Sequence, residues 1–295
     1  MQNVLIFYVM KIYSLLTLLV VSLVASCSQQ AQEQKIRIHS HRGETDFAPQ
    51  NTVESIKLAF DMGAEMIETD FTLTKDGQMV CIHGKNELKR YWNIDKNPQD
   101  LTANDIKNAK NTLKKRWGSK DFYDKKYANV KLPTIDEVFA VIPKDKRFEL
   151  EIKGYGKDFA DKVEQARIKA GLGYWNIMIT SFNADAIKDF KQKYPKYETL
   201  FILHMSDKKN NWTLEKIIAT AKDAKADQIA IGGYRMIDKN FISAIKKAGF
   251  KVGVWQVQNL DDLAFATKLG VDRVCSDHAY ELRQNYKLIK KLNFK

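Results

Sequence analysis

The chain has 295 residues, of which 44% are hydrophobic and 28% are charged, with 14 Gly and 5 Pro. This composition excludes intrinsically disordered, collagen-like and many-span membrane proteins. Lys and Arg outnumber Asp and Glu by 48 to 36, and the resulting net charge of +12 favours anionic partners without identifying one.

The N-terminal segment has the pattern of an export signal. Lys11 is followed by an uncharged apolar run over residues 12–25. This run is short for a membrane-spanning helix and is typical of a signal peptide. We therefore predict that residues 1–26 form a signal peptide. An uncleaved signal anchor and ordinary signal cleavage are the alternatives.

Residues 24–27, Val-Ala-Ser-Cys, resemble a bacterial lipobox, in which the cysteine is acylated and becomes the mature N-terminus. We therefore predict that Cys27 is lipidated and that residues 27–35 tether it to a domain spanning 36–295. These features predict a protein anchored in the bacterial cell envelope and facing the periplasm. They leave open which membrane holds it and whether it forms oligomers.

From residue 36 onward, short β-rich runs alternate with amphipathic helical segments, which is typical of an α/β fold. Gly63, Gly171, Gly249 and Gly270 each follow a helical pattern, where a glycine suits a left-handed helix end. Eight strands favour a TIM (β/α)₈ barrel over a doubly wound sheet, since no G-x-G-x-x-G follows the first strand. The predicted strands are 36–41, 65–71, 147–153, 176–181, 199–204, 227–232, 251–256 and 271–275.

A segment rich in Lys, Asn and Asp interrupts this repeat at residues 84–133. It is too long for a bare loop in a compact domain. We predict a partly helical insertion on the rim of the barrel that covers the active face. A final helix is predicted over 279–292.

Acidic residues lie at the predicted carboxyl ends of the second and third strands of the repeat, where TIM-barrel active sites lie. Glu68 and Asp70 are two residues apart, as are Glu151 and Lys153, so each pair shares one face of its strand. Three carboxylates at one mouth form an oxygen-rich site suited to Mg²⁺ or Ca²⁺. The alternative from spacing alone is a metal-free network in which Glu151 pairs with Lys153 or Arg42.

Two histidines are predicted at the same mouth. His41 ends the first strand, and the hairpin signal Asp76-Gly77 returns the chain so that His83 lies beside the carboxylates. Two such histidines can serve as general acid and general base near neutral pH. A structural role for each is the alternative.

Together these motifs resemble those of the glycerophosphodiester phosphodiesterase family. The similarity is strongest in the E-x-D…T-x-D-G…H block that runs from Glu68 to His83, which is specific in both residue identity and spacing. It covers about residues 36–280. The other matching segments are His41-Arg42-Gly43, Pro49-Gln50-Asn51-Thr52, 132–139, Glu151-Ile152-Lys153, Trp255 with the two residues after it, and 270–277.

The resemblance implies a TIM barrel that uses one divalent cation to hydrolyse glycerophosphodiesters to glycerol 3-phosphate and an alcohol. Transferred residue by residue, it implies that His41 and His83 are the acid/base pair. It further implies that Glu68, Asp70 and Glu151 bind the metal, and that Arg42 and Lys153 contact the phosphate.

The chain departs from the family pattern at two positions. Gln50 stands where the family usually has Glu, and Gly84 stands where it usually has Asp after the second histidine. The first change removes a carboxylate near the site, and the second alters the loop that carries His83. Neither removes an implied ligand or acid/base residue.

Four further residues have predicted places around the site. Trp255 lies at the mouth end of its strand and is a candidate aromatic wall for the leaving group, with Phe182 a weaker one. Asn51 is predicted to cap the first helix through a capping box with Glu54. His39, one step deeper than His41 on the same strand face, is expected to be a core histidine.

Two other functions stay open beside the phosphodiesterase. One is a related barrel phospholipase that acts on intact lipid or lysolipid, and the other is a non-catalytic lipoprotein that binds phosphorylated ligands. Nucleic-acid binding is not expected, because no basic cluster is interleaved with aromatic residues.

Overall fold

The computed structural model describes residues 36–115 and 122–293, with side chains as far as residue 288. The predicted signal peptide, Cys27 and the tether lie outside these residues. Among the helices described, none combines the length and the apolar character needed to span a membrane.

Eight parallel strands form a closed barrel. The sheet runs in the order β1-β9-β8-β7-β6-β5-β4-β2-β3, and parallel pairing of β1 with β2 closes it. The added strand β3 pairs antiparallel with β2, as the hairpin signal predicts. The TIM barrel and all eight predicted strands are therefore confirmed. The strands are β1 (Arg37–His41), β2 (Met66–Leu73), β3 (Met79–Cys81), β4 (Arg147–Ile152), β5 (Ile177–Ser181), β6 (Glu198–His204), β7 (Gln228–Gly232), β8 (Lys251–Trp255) and β9 (Arg273–Ser276).

A helix follows each barrel strand and packs against its outer side. Gly63, Gly171, Gly249 and Gly270 all have positive φ angles, as predicted for residues that end helices in the left-handed conformation. The helices are α1 (Val53–Asp61), α2 (Lys85–Trp92), α3 (Ala103–Lys107), α4 (Ile135–Phe139), α5 (Phe159–Lys169), α6 (Ala184–Lys193), α7 (Leu214–Asp223), α8 (Lys239–Lys247), α9 (Leu260–Leu269) and α10 (Ala279–Asn293).

The segment between β3 and α4 has a small apolar core of its own. The helices α2 and α3 lie in this segment, and Leu88 and Trp92 of α2 pack with Ile106 of α3 and with Val80 of β3. This packing fixes α2 beside the carboxyl end of β2. Helix α2 therefore stands where its residues can line the mouth of the barrel.

The main apolar core lies between the barrel strands and the surrounding helices. Phe148 on β4 is fully buried, with its ring centroid 6.3 Å from that of Phe71 and 5.8 Å from that of Phe139. We expect Phe148→Ala to lower the free energy of unfolding by about 3–5 kcal/mol, because it removes these contacts and leaves a cavity. Urea unfolding would measure this. The control Phe122→Ala, at a position 58% exposed, should change stability by less than about 0.5 kcal/mol.

Candidate active site

The site lies at the carboxyl ends of β1, β2 and β4, which are neighbours in the barrel. The register places His41 of β1 opposite Glu68 of β2, and Asp70 of β2 opposite Glu151 of β4. His41, Glu68 and Glu151 line a cavity of about 530 Å³ that opens at the mouth. The topology thus brings together residues that are far apart in the sequence.

The three predicted metal ligands form a buried cluster. One carboxylate oxygen from each of Glu68, Asp70 and Glu151 lies within 4.8 Å of the other two. None of the three side chains is more than 5% exposed as a residue. Three buried carboxylates at this spacing repel one another unless cations lie between them.

Two cations of the chain offset part of this charge. Arg42 Nε lies 2.8 Å from Asp70 Oδ2, and Lys153 Nζ lies 3.3 Å from Asp70 Oδ1 and 2.5 Å from Glu151 Oε1. Burial alone would raise the pKa of Asp70, but Arg42 and Lys153 hold it well below its ordinary value. Of the two ion pairs in the metal-free alternative, the one between Glu151 and Lys153 is therefore present. Arg42 pairs with Asp70 instead of Glu151.

Glu68 is the member of the cluster with the weakest compensation, which comes from the charge of Arg42 and from His41 Nε2 at 3.6 Å. Neither of its carboxylate oxygens has a hydrogen-bond partner among the described residues, although both are buried. Burial, and then the charges of Asp70 and Glu151, raise its pKa well above the ordinary value. Burial likewise raises the pKa of Glu151 to about 7, despite Lys153. An all-oxygen cluster with an unsatisfied buried carboxylate fits a hard divalent cation.

His41 is held by a carboxylate that the sequence analysis did not assign a role. Its Nδ1 lies 2.6 Å from Oδ1 of Asp277, a fully buried residue just beyond β9. Its Nε2 lies 3.6 Å from Glu68 Oε2. Because an ionised carboxylate only accepts hydrogen bonds, Asp277 fixes the proton on Nδ1 and turns Nε2 towards the carboxylate cluster.

His83 stands at the more exposed side of the mouth. Its backbone N–H donates to Glu87 Oε2 at 2.7 Å, which fixes the loop after β3. Partial burial, and then the positive charges of Arg42 and Lys153, lower the pKa of His83 to about 4. His83 is therefore a neutral imidazole at neutral pH and is able to accept a proton.

Asn51 and Glu87 belong to the site, although no motif in the sequence indicates that either residue lies near Asp70. Asn51 Nδ2 donates to Asp70 Oδ2 and to Glu87 Oε2, both at 3.0 Å. The prediction that Asn51 caps the first helix with Glu54 is wrong. Thr52 is the N-cap of α1, since its side chain accepts from the backbone N–H of Ser55. Asn51 is thereby free to hold Asp70 in place.

The two departures from the family pattern both lie near α2. Gln50 is buried in the cavity lining, and Glu87 of α2 lies in the same lining. Glu87 thus supplies a carboxylate on the side of the site where Gln50 replaces the Glu that is usual in the family. Gly84, directly before α2, has a φ of 148°, a backbone conformation that residues with a side chain rarely adopt.

An aromatic group forms the opposite wall of the mouth. The ring of Trp255 lies 5.5 Å from that of Phe182 and 5.5 Å from that of His204. Phe182 is 45% exposed, and Lys153 Nζ lies 5.4 Å from its ring centroid. Trp255 and Phe182 both line the cavity, where the sequence placed them.

His39 lies deeper in the barrel and is buried, as expected of a core residue. Burial lowers its pKa from 6.5 to about 4. Between pH 6.5 and 4 the unfolded chain then binds the extra proton, so His39 lowers the free energy of unfolding as the pH falls through this range. We expect the stability of the wild type, relative to His39→Leu, to drop by about 3 kcal/mol from pH 7 to pH 4. Urea unfolding of both proteins at each pH would test this, and a constant difference would contradict it.

The sequence profile of the glycerophosphoryl diester phosphodiesterase family matches residues 41–281. The chain belongs to this family. The match includes every candidate catalytic, metal-binding and substrate-binding residue named above. It confirms the family resemblance and the prediction of an enzyme.

Relatives of known name agree with the match to the glycerophosphoryl diester phosphodiesterase family. The chain is 29% identical over 247 residues to a glycerophosphodiester phosphodiesterase of Caldanaerobacter subterraneus subsp. tengcongensis, covering 82% of this chain and 94% of that protein. A glycerophosphodiester phosphodiesterase of Parabacteroides distasonis has a similar structure, with a TM-score of 0.67, 22% identity and coverage of 85% of this chain and 97% of that one. An Oleispira antarctica phosphodiesterase, solved with the product sn-glycerol-3-phosphate, has a TM-score of 0.68 and 21% identity, with coverage of 85% of this chain and 96% of that one. At these identities the structural likeness supports the barrel fold.

Proposed function

We propose that the protein hydrolyses glycerophosphodiesters to glycerol 3-phosphate and an alcohol, with one divalent cation and two catalytic histidines. The observation that carries this proposal is the convergence of Glu68, Asp70 and Glu151 within 4.8 Å, beside a cavity that His41 and His83 line. Family membership supports the same reaction.

Glu68, Asp70 and Glu151 would hold the cation, which is Mg²⁺ or Ca²⁺ given three hard oxygen donors. A bound cation of this kind withdraws charge from a phosphoryl oxygen. Arg42 and Lys153, which already face Asp70, bind the phosphate beside the carboxylate cluster. Trp255 and Phe182 provide an apolar wall for the leaving group.

The two histidines have different environments, which suggests separate roles. His83 is neutral and takes the proton of the attacking hydroxyl. The neighbouring hydroxyl of the glycerol half suits this role, because its attack on phosphorus closes a five-membered ring. Asp277 lies 2.6 Å from Nδ1 of His41, an arrangement that stabilises the doubly protonated ring. His41 therefore donates a proton from Nε2 to the departing alkoxide.

The attack of this hydroxyl forms a new P–O bond as the bond to the alcohol breaks, and it leaves a cyclic phosphodiester. Water then opens the ring in a second step, in which the histidines exchange roles. His41 takes a proton from water, and His83 returns its proton to the ring oxygen that leaves phosphorus. The products are glycerol 3-phosphate and the alcohol, and both histidines regain their starting states.

The test is an assay of purified protein that lacks residues 1–27. The protein is incubated with glycerophosphocholine, with and without EDTA, and glycerol 3-phosphate is measured by a coupled reaction. We expect product that depends on added Mg²⁺ or Ca²⁺. Cleavage of lysolipid alone would favour the phospholipase. The absence of product across several headgroups and divalent cations would favour a binding protein.

We also propose that Cys27 is acylated and anchors the protein in the cell envelope, facing the periplasm. The support is the apolar run over 12–25 that precedes the lipobox-like residues 24–27. Metabolic labelling of a bacterial host with an alkyne fatty acid should label the wild type and leave Cys27→Ser unlabelled. Equal labelling of both proteins would refute the anchor.

A further inference from the structure

A polar layer lies inside the barrel beneath the reaction centre. It consists of His39 on β1, Glu149 on β4 and Arg273 on β9, which we call the polar floor. His39 Nδ1 lies 3.3 Å and Arg273 Nη1 lies 3.1 Å from Glu149 Oε2, and Thr180 Oγ donates to Glu149 Oε1 at 3.0 Å. With Thr180 on β5, four strands contribute to one buried network.

The polar floor is continuous with the catalytic cavity, because all three of its residues line that cavity. His39 and Glu149 precede His41 and Glu151 by two residues on the same strands, so the floor lies about 6–7 Å deeper. The small residues Ala230 and Gly253 lie at the same level. A Cβ at Gly253 would lie 2.8 Å from Cγ and Nε of Arg273, so this position has no room for a side chain.

A buried hydrogen-bonding atom of the floor, Nε2 of His39, has no partner among the described residues. His39 is 2% exposed and neutral, and its single ring proton lies on Nδ1, facing the Glu149 carboxylate. Nε2 therefore carries a lone pair, and within the part of the chain that the structure describes no group donates a hydrogen bond to it. Only a donor can satisfy it. Because the charges of Glu149 and Arg273 cancel, a neutral hydroxyl suits the site better than a cation or an anion.

We propose that the polar floor is the subsite for the terminal hydroxyl of the glycerol half of the substrate, which donates a hydrogen bond to His39 Nε2. This inference rests on the proposed function, since it places the phosphate at the carboxylate cluster. The depth of the floor matches the reach of a three-carbon alcohol attached to that phosphate. The floor would thus select glycerol over shorter or less hydroxylated alcohols.

The experiment compares glycerophosphocholine with an analogue in which hydrogen replaces the terminal hydroxyl of glycerol and the neighbouring hydroxyl is kept. The wild type should prefer glycerophosphocholine by about 10- to 100-fold in kcat/KM, because the analogue leaves Nε2 unsatisfied. In His39→Leu this preference should fall to about one. Met66→Leu, a volume-conserving change in the apolar interior of the barrel, should keep the wild-type preference.

A binding measurement separates this inference from the proposed reaction. Calorimetry on His83→Ala should show glycerol 3-phosphate binding more tightly than propane-1,2-diol 1-phosphate, and the added change His39→Leu should abolish the difference. If the wild type shows no turnover but glycerol 3-phosphate still binds more tightly than propane-1,2-diol 1-phosphate, the proposed reaction is refuted and the subsite is not. Equal handling of the two compounds by the wild type, in turnover and in binding, would overturn the subsite, as would a preference that survives in a folded His39→Leu.

Discussion

Replacing His41 by alanine is expected to lower kcat by about 10²–10⁴-fold without unfolding the protein. His41 is the residue whose Nε2 faces the carboxylate cluster while Asp277 holds its Nδ1 at 2.6 Å. Without the ring, the departing alkoxide must take its proton from water. Steady-state assays with glycerophosphocholine and circular dichroism at the same temperature would measure the two effects. His278→Ala, which removes a histidine paired with Asp46 outside the catalytic cavity, should leave kcat nearly unchanged.

Asp277→Asn separates the role of the ring from the role of its partner. An amide in place of the carboxylate keeps the shape of the site but stabilises the protonated ring less, so kcat should fall by about 10- to 100-fold with KM little changed. The pH profile of kcat should shift in Asp277→Asn and keep its wild-type form in His278→Ala. Full activity in His41→Ala at saturating cation would remove His41 from the mechanism.

The fold could be predicted because its signals are local. Each strand is a short β-rich run, and the glycines at positions 63, 171, 249 and 270 mark where helices end. The E-x-D and E-x-K pairs reveal inward-facing side chains, since alternation within a strand depends on nothing distant. Closure of the barrel then places these pairs side by side. The carboxylate cluster is therefore visible in the sequence.

The supporting residues could not be predicted, because their partners are distant in the chain. Asp277 contacts His41 across 236 positions, and Arg273 reaches Glu149 across 124. Glu87 lies on the short helix α2 of the insertion, where no strand alternation indicates which way its side chain points. The sequence predicts Asn51 at the helix cap, since Asn and Thr are both good N-cap residues, and only the structure shows that Thr52 takes this place. The sequence thus predicts reacting groups better than the groups that position them.

Replacing Glu68 by alanine is expected to weaken binding of the divalent cation more than about 100-fold, the upper range for loss of a supporting contact alone. Both oxygens of Glu68 are buried and have no hydrogen-bond partner in residues 36–115 and 122–288, so a cation is the ligand that would satisfy them. Calorimetric titration of metal-free protein with Mg²⁺ and with Ca²⁺ would measure the affinity. Because burial raises the pKa of Glu68, and that of Glu151 to about 7, protons compete with the cation and affinity should fall as the pH falls below 7.

Glu87→Gln is the matched control, since it removes a buried carboxyl group beside the site that lies outside the three-carboxylate cluster. If the charge of the pocket alone attracted the cation, Glu87→Gln and Glu68→Ala would weaken binding to a similar extent. If Glu68 ligates the cation, its loss should dominate, and the activity of Glu68→Ala should recover only at much higher cation concentration. Unchanged cation affinity in a folded Glu68→Ala would remove Glu68 from the ligand set, and the metal-dependent reaction would then need a different binding site.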